Sequence, residues 1–211
     1  MAGSLSPKPE ARERTPQLTV LPAVLVALVM LMVAACGGPL DEARSLEKAG
    51  DLEGAVTIYQ RIIAEDSEDL DALTGLAVDL LQLKRYDEAL LIQEKVAALD
   101  KTDVLTRVEL AFNYLNHQDQ PEKAVRYLTE AVALDPSAKN LTFLAQAQIR
   151  AGDAGGGELS LRSALDDDPK YPHAYLVLLS LFDSQGRADD AVKLREQAQV
   201  NGVDVSGSSG G

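Results

Sequence analysis

The sequence predicts an all-α protein built from about five stacked helix-turn-helix units. Five small residues recur along the chain, and the spacings between Ala55, Ala89, Ala124, Gly157 and Ala191 are 34, 35, 33 and 34 residues. Near each of them begins a stretch with apolar residues at i, i+3, i+4 and i+7, the pattern of a helix with one buried face. A second such stretch precedes each one. The constant period predicts a solenoid, because an ordinary helix bundle has no reason to keep it.

The first 35 residues predict a cleaved leader. A polar segment with three cationic residues precedes an apolar stretch over residues 18–35, as in a secretory signal peptide. Residues 33–36, Val-Ala-Ala-Cys, look like a bacterial lipobox. That resemblance implies removal of residues 1–35 and acylation of the thiol and the new amino group of Cys36. Residues 36–40 would then form a lipidated tether.

An uncleaved transmembrane helix is the alternative for this segment, because about 18 apolar residues are the lower limit for crossing a bilayer. Lipidation is favoured because the only cysteine of the chain stands directly after the apolar run. One acyl chain gives marginal membrane binding and several chains hold a protein firmly. We therefore expect a lipid-anchored protein of the bacterial cell membrane or outer membrane, facing the periplasm or the cell exterior.

The helical stretches after the leader divide into five units and a tail. Their predicted boundaries are residues 38–69 for a partial first unit, then 70–103, 104–137, 138–171 and 172–203, with a flexible tail over 204–211. Pro39 stands where the first turn of the opening helix should be, so that helix should be short. The turn over residues 116–121 holds one extra residue. Three glycines at 155–157 predict a loosely formed helix start, and whether they act as a hinge stays open.

The helix-turn-helix period of 34 residues resembles the tetratricopeptide repeat, over roughly residues 38–201. Large residues fall where that family packs one helix on the next, and small residues fall where two helices approach closely. The large residues include Leu73, Leu76 and Leu80, then Leu110 and Tyr114, then Leu141 and Leu144, then Tyr175, Leu178 and Phe182. The resemblance implies a right-handed superhelical solenoid whose concave surface, lined by the first helix of each repeat, binds segments of partner proteins.

Projection of the first helices predicts which residues line that concave surface. They are Thr74, Val78, Leu81, Leu105, Val108, Phe112, Asn116, Thr142, Gln146, Leu176 and Ser180. We expect an apolar groove centred on Phe112 that takes a hydrophobic or amphipathic peptide; the alternative is that Val108 and Phe112 only complete packing between repeats. Chaperone-binding members of the family clamp a terminal carboxylate with lysines and asparagines at such places. Val108 and Phe112 do not support that clamp.

Charge and motifs exclude several other functions. Asp and Glu number 33 against 20 Lys and Arg, a formal charge of -13 that disfavours nucleic acid as a partner. His117 and His173 have no sequence-near partner that would suggest a metal site. The acidic clusters at 65–69 and 166–168 lack the spacing of a calcium loop. We predict no catalytic residues, no metal and no cofactor.

The sequence therefore predicts a non-enzymatic, membrane-anchored scaffold that binds protein partners in the bacterial cell envelope. The alternative is an accessory subunit of an envelope assembly or export machine. Type IV pilus assembly, outer-membrane protein insertion and polysaccharide export are equally compatible with the residues. The oligomeric state is left open.

Overall fold

A computed structural model describes residues 37–206, which form five pairs of α-helices. The pairs are α1 (Pro39–Ala49) with α2 (Leu52–Glu65), α3 (Leu70–Gln82) with α4 (Tyr86–Leu99), α5 (Val104–Asn113) with α6 (Pro121–Leu134), α7 (Ala138–Arg150) with α8 (Ala154–Asp167), and α9 (Pro172–Ser184) with α10 (Ala188–Val200). No strand occurs between residues 37 and 206. The predicted all-helical fold is confirmed.

The turn inside each pair reverses the chain through one residue with a positive φ. These residues are Gly50, Lys84, Asp119, Gly152 and Gly186. Glycine reaches this region without steric cost, whereas lysine and aspartate enter it less easily. Asp51 and Asp153 then cap α2 and α8, because their carboxylates accept hydrogen bonds from the backbone N–H groups of Gly54 and Gly156. Local sequence thus fixes where α2 and α8 begin.

Two predicted irregularities of the repeats are present. Helix α1 has 11 residues, whereas α3, α7 and α9 have 13 each and α5 has 10 before its π-helical continuation, so the opening helix is shorter than most first helices. The extra residue of the third repeat is absorbed by a π-helical turn, Tyr114–Gln118, that continues α5. A π-turn holds one more residue than an α-turn, so the insertion leaves the following helix in phase. Pro121 opens α6, where its missing N–H is not needed.

The small residues of the 34-residue period lie where helices meet. Ala55, Ala89, Ala124 and Ala191 are at most 1% exposed, and Gly157 is buried at the same place in the fourth repeat. Around them the apolar side chains form three clusters that follow one another along the solenoid. Each cluster joins neighbouring repeats, so a single repeat does not hold a complete core.

The three glycines at 155–157 do not produce a loose helix start. Helix α8 is regular from Ala154 onward and begins at the Asp153 cap. A Cβ at Gly157 would lie 2.5 Å from Ile149 Cγ1 and 3.1 Å from the Ala145 carbonyl oxygen on α7. Gly157 therefore allows close packing of α7 on α8. Our expectation of a loose start was wrong, because helix propensity alone does not reveal a neighbouring helix.

Arg107 is a buried charge at a position that other repeats fill with apolar residues. Its guanidinium donates to the backbone carbonyls of Ala97, Asp100 and Asp103 and, over 3.2 Å, to the carboxylate of Glu130. The arginine side chain is only 6% exposed. A buried charge is tolerated when its donors are satisfied. Arg107 thus ties the end of α4, the following loop and α6 together.

Asp79 is a second buried charge, and both of its carboxylate oxygens lack a hydrogen-bond partner among the described residues. It lies on α3 close to Tyr59 and Glu47, whose own side chains are joined by a 2.7 Å hydrogen bond. Burial and, to a lesser extent, the negative charge of Glu47 raise the pKa of Asp79 to about 6. The junction of the first two repeats therefore holds a carboxyl group that titrates near neutral pH.

Side-chain contacts join each repeat to the next along the edge that carries the intra-repeat turns. Arg85 pairs with Glu53 at 3.2 Å, and Arg150 pairs with Asp119 at 3.1 Å. Between these two pairs the rings of Tyr86 and His117 stack with centroids 3.7 Å apart. At the last junction Arg187 pairs with Glu158. The π-helical turn contributes to this edge, because it carries His117.

The chain stays packed on the array after α10 ends at Val200. Val203 is buried, and Val205 packs against the C-terminal core cluster. Ser206 donates to the carboxylate of Asp204 through both its backbone N–H and its hydroxyl. The prediction of a flexible tail from residue 204 is thus wrong for 204–206, and residues 207–211 lie outside the described part of the chain.

Candidate functional site

The first helices of the repeats lie side by side and form one face of the solenoid. We call the face of α1, α3, α5, α7 and α9 the inner face. The rings of Phe112 on α5 and Phe143 on α7 meet edge to face, with centroids 4.9 Å apart. Farther along, the side-chain nitrogens Gln146 Nε2 on α7 and His173 Nε2 on α9 are 3.2 Å apart. These contacts fix the spacing of neighbouring helices on the inner face.

A groove of about 530 Å³ runs between α7 and α9, and we call it the α7–α9 groove. Its apolar lining residues are Ile149, Leu176, Val177 and Leu181, and its polar lining residues are Gln146, Arg150, His173, Ser180 and Ser184. Its size and its mixture of apolar and polar side chains are compatible with the binding of a ligand. None of its nine lining residues carries a carboxylate.

Three of the predicted inner-face residues, Gln146, Leu176 and Ser180, line the α7–α9 groove. Leu176 is 37% exposed, although it is a large apolar residue. Thr74 and Val78 line a narrower cleft among α3, α4 and α5, beside Glu109. These residues are therefore accessible, and their role in binding a partner stays a prediction.

The other predicted residues lie outside the α7–α9 groove. Leu105 is 64% exposed at the start of α5, and Asn116 is exposed in the π-helical turn. Val108 is half-buried against the central core cluster, and Phe112 is half-buried against Phe143. Packing between repeats accounts for part of the surface of these two side chains. The groove that the structure forms lies nearer the C-terminus than Phe112.

The prediction that Thr142 lines the inner face is wrong. Its side chain is fully buried, and its hydroxyl donates a 2.7 Å hydrogen bond to the carbonyl oxygen of Ala138 one turn earlier on α7. It therefore does not face a ligand on the inner face. Leu176, the corresponding residue of the next repeat, is exposed. Equal repeat positions thus do not guarantee equal exposure.

Several residues of the α7–α9 groove were missed by the sequence analysis. Arg150 and Ser184 follow the predicted Asn116 at intervals of 34 residues, so the repeat period could have identified both. His173 was considered only as a metal ligand and was set aside. In the structure its ring lies near Gln146 and meets Tyr171 at right angles. Ile149, Val177 and Leu181 gave no signal distinct from that of core residues.

Arg150 gives the groove a positive charge at one end. Its guanidinium Nη2 lies 3.1 Å from Asp119 Oδ1, and both side chains are exposed, at 46% and 85%. An exposed ion pair of this kind contributes only about 0–1 kcal/mol. The guanidinium has five N–H donors, of which the bond to Asp119 uses one. Arg150 can therefore bind a further acceptor.

Two further site predictions concern metals and the membrane anchor. Within residues 37–206, no three His, Cys, Asp or Glu residues are grouped as a metal site would require. Over the same range no helix is both long enough and apolar enough to cross a bilayer. The predicted leader and Cys36 lie outside the described residues, so both stay predictions.

Comparison with known proteins agrees with the repeat architecture. The tetratricopeptide repeat profile matches residues 40–104 and 144–202. A relative by sequence is YpiA, a TPR repeat-containing protein of Bacillus subtilis (strain 168), 22% identical over 161 residues. The match covers 76% of this chain and 38% of YpiA, so the chain spans well under half the length of that relative.

Solved structures with the same fold include MamA of Desulfovibrio magneticus RS-1, which is 20% identical with a TM-score of 0.61 over 77% of this chain and 93% of that one. YrrB, described as a TPR protein with an unusual peptide-binding site, is 19% identical with a TM-score of 0.62 over 76% of this chain and 82% of that one. At these identities the likeness shows the fold alone. The family profile covers more than half of the sequence, and the chain belongs to the tetratricopeptide repeat family.

Proposed function

We propose that this chain is a scaffold that binds a segment of a partner protein on its inner face. The α7–α9 groove is the observation that carries the proposal. It combines about 530 Å³ of space with an exposed Leu176 and a short row of polar groups. A tetratricopeptide array gives such a groove rigid walls, because each helix packs on its neighbours. Rigid walls lower the entropy cost of binding.

We infer that the chain acts by binding and not by catalysis. Nucleophilic catalysis needs a nucleophile, a base and an orienting group held together. Ser180 and Ser184 share the groove with His173, but the ring nitrogen Nε2 of His173 faces the amide of Gln146. No carboxylate among the lining residues orients that ring. The arrangement supports ligand binding better than proton transfer.

We further propose that the scaffold is lipid-anchored in a bacterial cell envelope. The support is in the sequence, where an apolar run ends in Val-Ala-Ala-Cys at residues 33–36. Helix α1 begins at Pro39, three residues after Cys36. An anchor at Cys36 would therefore hold the first repeat close to the lipid surface.

Intact mass of the protein extracted from bacterial membranes tests the anchor. We expect the wild type to lack residues 1–35 and to carry added acyl mass, and we expect Cys36→Ser to keep the leader without that mass. An unmodified full-length chain in the wild type would contradict the anchor. It would leave the binding proposal untouched.

Affinity purification from the same membranes tests binding on the inner face. The variant Leu176→Asp places a charge in the α7–α9 groove and should lose the partner. Leu159→Asp is the matched control, because Leu159 is 68% exposed on α8 and outside the groove. Circular dichroism checks that both variants fold. A partner kept equally by Leu176→Asp and the wild type would contradict the proposal for this groove.

A further inference from the structure

We propose that the α7–α9 groove recognises a peptide segment that presents an apolar side chain next to a carboxylate. The apolar side chain would enter the groove beside Leu176, and the carboxylate would pair with Arg150. This inference rests on the proposed function, because it names the chemistry of the partner for the same site. It follows from the shape, the charge and the free donors of the groove.

The apolar part of the groove accounts for the first feature of the segment. Ile149 on α7 faces Leu176, Val177 and Leu181 on α9 across the groove. Leu181 is 5% exposed, whereas Leu176 is 37% exposed. A large aliphatic or aromatic side chain placed here removes apolar surface from water on both helices. A purely polar segment would leave that surface uncovered.

The charge of the groove accounts for the second feature. The whole chain carries 33 acidic against 20 basic residues, yet the nine residues of the groove include Arg150 and no carboxylate. The cleft among α3, α4 and α5 contains Glu109. Arg150 is thus the one formally charged side chain among the lining residues, and its partner Asp119 lies outside that lining. Charge complementarity favours an acidic segment there and disfavours a basic one.

Arg150 is placed to bind the carboxylate of the segment without a large rearrangement of its side chain. Asp119 holds its guanidinium from the intra-repeat turn of the third repeat, where Asp119 itself has a φ of 49°. The bond engages one nitrogen, Nη2, so the other N–H donors can point toward a ligand. Because both partners are exposed, a second carboxylate can join the pair or displace Asp119 at little cost.

Polar groups along the groove provide partners for the backbone of a bound segment. Gln146 and His173 bridge α7 and α9, and Ser180 and Ser184 are exposed on α9. A peptide backbone that enters a groove loses water from its N–H and C=O groups and needs new hydrogen bonds. Side-chain amides and hydroxyls can donate and accept, so they suit a segment of varied sequence.

Selection from a phage-displayed library of random 12-residue peptides on the full-length protein in detergent tests this inference. We expect the enriched peptides to share a large apolar residue with Asp or Glu within a few positions. A fluorescein-labelled synthetic copy of one such peptide should bind about three to five times more weakly to Arg150→Gln, because the ion pair is exposed, and at least ten times more weakly to Leu176→Asp. Its affinity should also fall as salt rises, because the pair is exposed.

Matched controls separate the groove from the rest of the surface. Arg195→Gln removes an exposed cation on α10, outside the α7–α9 groove, and should leave the affinity within twofold of the wild type. The variant Arg150→Glu should prefer a peptide in which lysine replaces the acidic residue. Thermal melts show whether each variant keeps the fold. The reversed preference would not arise from simple unfolding.

The remaining outcomes overturn the inference in distinguishable ways. Enrichment of basic peptides, or of peptides that bind Arg150→Gln as tightly as the wild type, would contradict the chemistry proposed here and leave the scaffold function standing. Binding that responds to Phe112→Ala but not to Leu176→Asp would place the site on α5. That result would also contradict the chemistry proposed here and leave the scaffold function standing. Failure to enrich any peptide would count against both the inference and the proposed function.

Discussion

Gly157 on α8 lies so close to Ile149 on α7 that a Cβ at position 157 would stand 2.5 Å from Ile149 Cγ1. The contact lies beside the groove, because Ile149 also lines it. The packing of α7 on α8 and the shape of the binding surface therefore depend on the same side chain.

Gly157→Ala should destabilise the protein, whereas Gly155→Ala should stabilise it. Alanine gains up to about 1 kcal/mol over glycine inside a helix, and overpacking costs about 1–3 kcal/mol. A Cβ at Gly155 meets only Asp153 Oδ1, at 3.9 Å, so that variant gains without a clash. Urea unfolding should give opposite signs for the two changes in unfolding free energy. Equal or reversed effects would mean that α7 and α8 are not so closely packed.

Arg107→Lys should lower the unfolding free energy by about 2 kcal/mol, because a lysine ammonium cannot reach the three carbonyls and the carboxylate that the guanidinium fork joins. Arg162→Lys is the control. Arg162 also pairs with a glutamate, but its side chain is 54% exposed, and an exposed pair contributes at most about 1 kcal/mol. Similar losses for the two variants in chemical denaturation would contradict the structural role of Arg107.

The contribution of Asp79 to the stability of the wild type should fall as pH rises from about 4 to 6. The pKa of Asp79 is about 6 in the folded state against 3.8 for an ordinary aspartate, so the folded protein binds the extra proton in this range. Asp79→Asn removes that titration. Relative to its value at pH 4, the unfolding free energy of the variant at pH 7 should gain about 2 kcal/mol on the wild type.

Denaturant titrations of the wild type and Asp79→Asn at several pH values measure this difference. Parallel stability curves between pH 4 and pH 7 would show that Asp79 is not a buried, unpaired carboxyl group in the folded protein. A difference that widens above pH 4 in favour of the variant would support the structure at the junction of the first two repeats.

The helix pairs could be predicted from the sequence because the same pattern of small and apolar residues recurs in each repeat. A single small residue in a helix is weak evidence for a repeat. Four of them at a near-constant spacing define a period that only a repeat array explains: Ala55, Ala89, Ala124 and Ala191. The extra residue before Pro121 was visible as a break in that period. Its absorption in a π-helical turn was not, since a longer loop fits the same count.

The groove was predicted only in part, because side-chain exposure depends on neighbours that the period does not specify. Thr142 and Leu176 have equal repeat positions, yet one is buried and the other is exposed.

Outside the groove, Arg107 is the residue whose special role the sequence signalled most clearly and which was missed. It stands where the neighbouring repeats carry Leu73 and Leu141, and a charge in an apolar position indicates a special set of partners.

The most direct test of binding on the inner face is photo-crosslinking in living bacteria with benzoylphenylalanine in place of Leu176 or, as the control, Leu159. Leu176 lines the α7–α9 groove, and Leu159 is exposed on α8 outside it. We predict a partner adduct after irradiation at position 176 and none at 159, with the crosslinked peptide carrying an acidic residue near the apolar one. Adducts at 159 without any at 176 would contradict a scaffold that binds its partner in this groove.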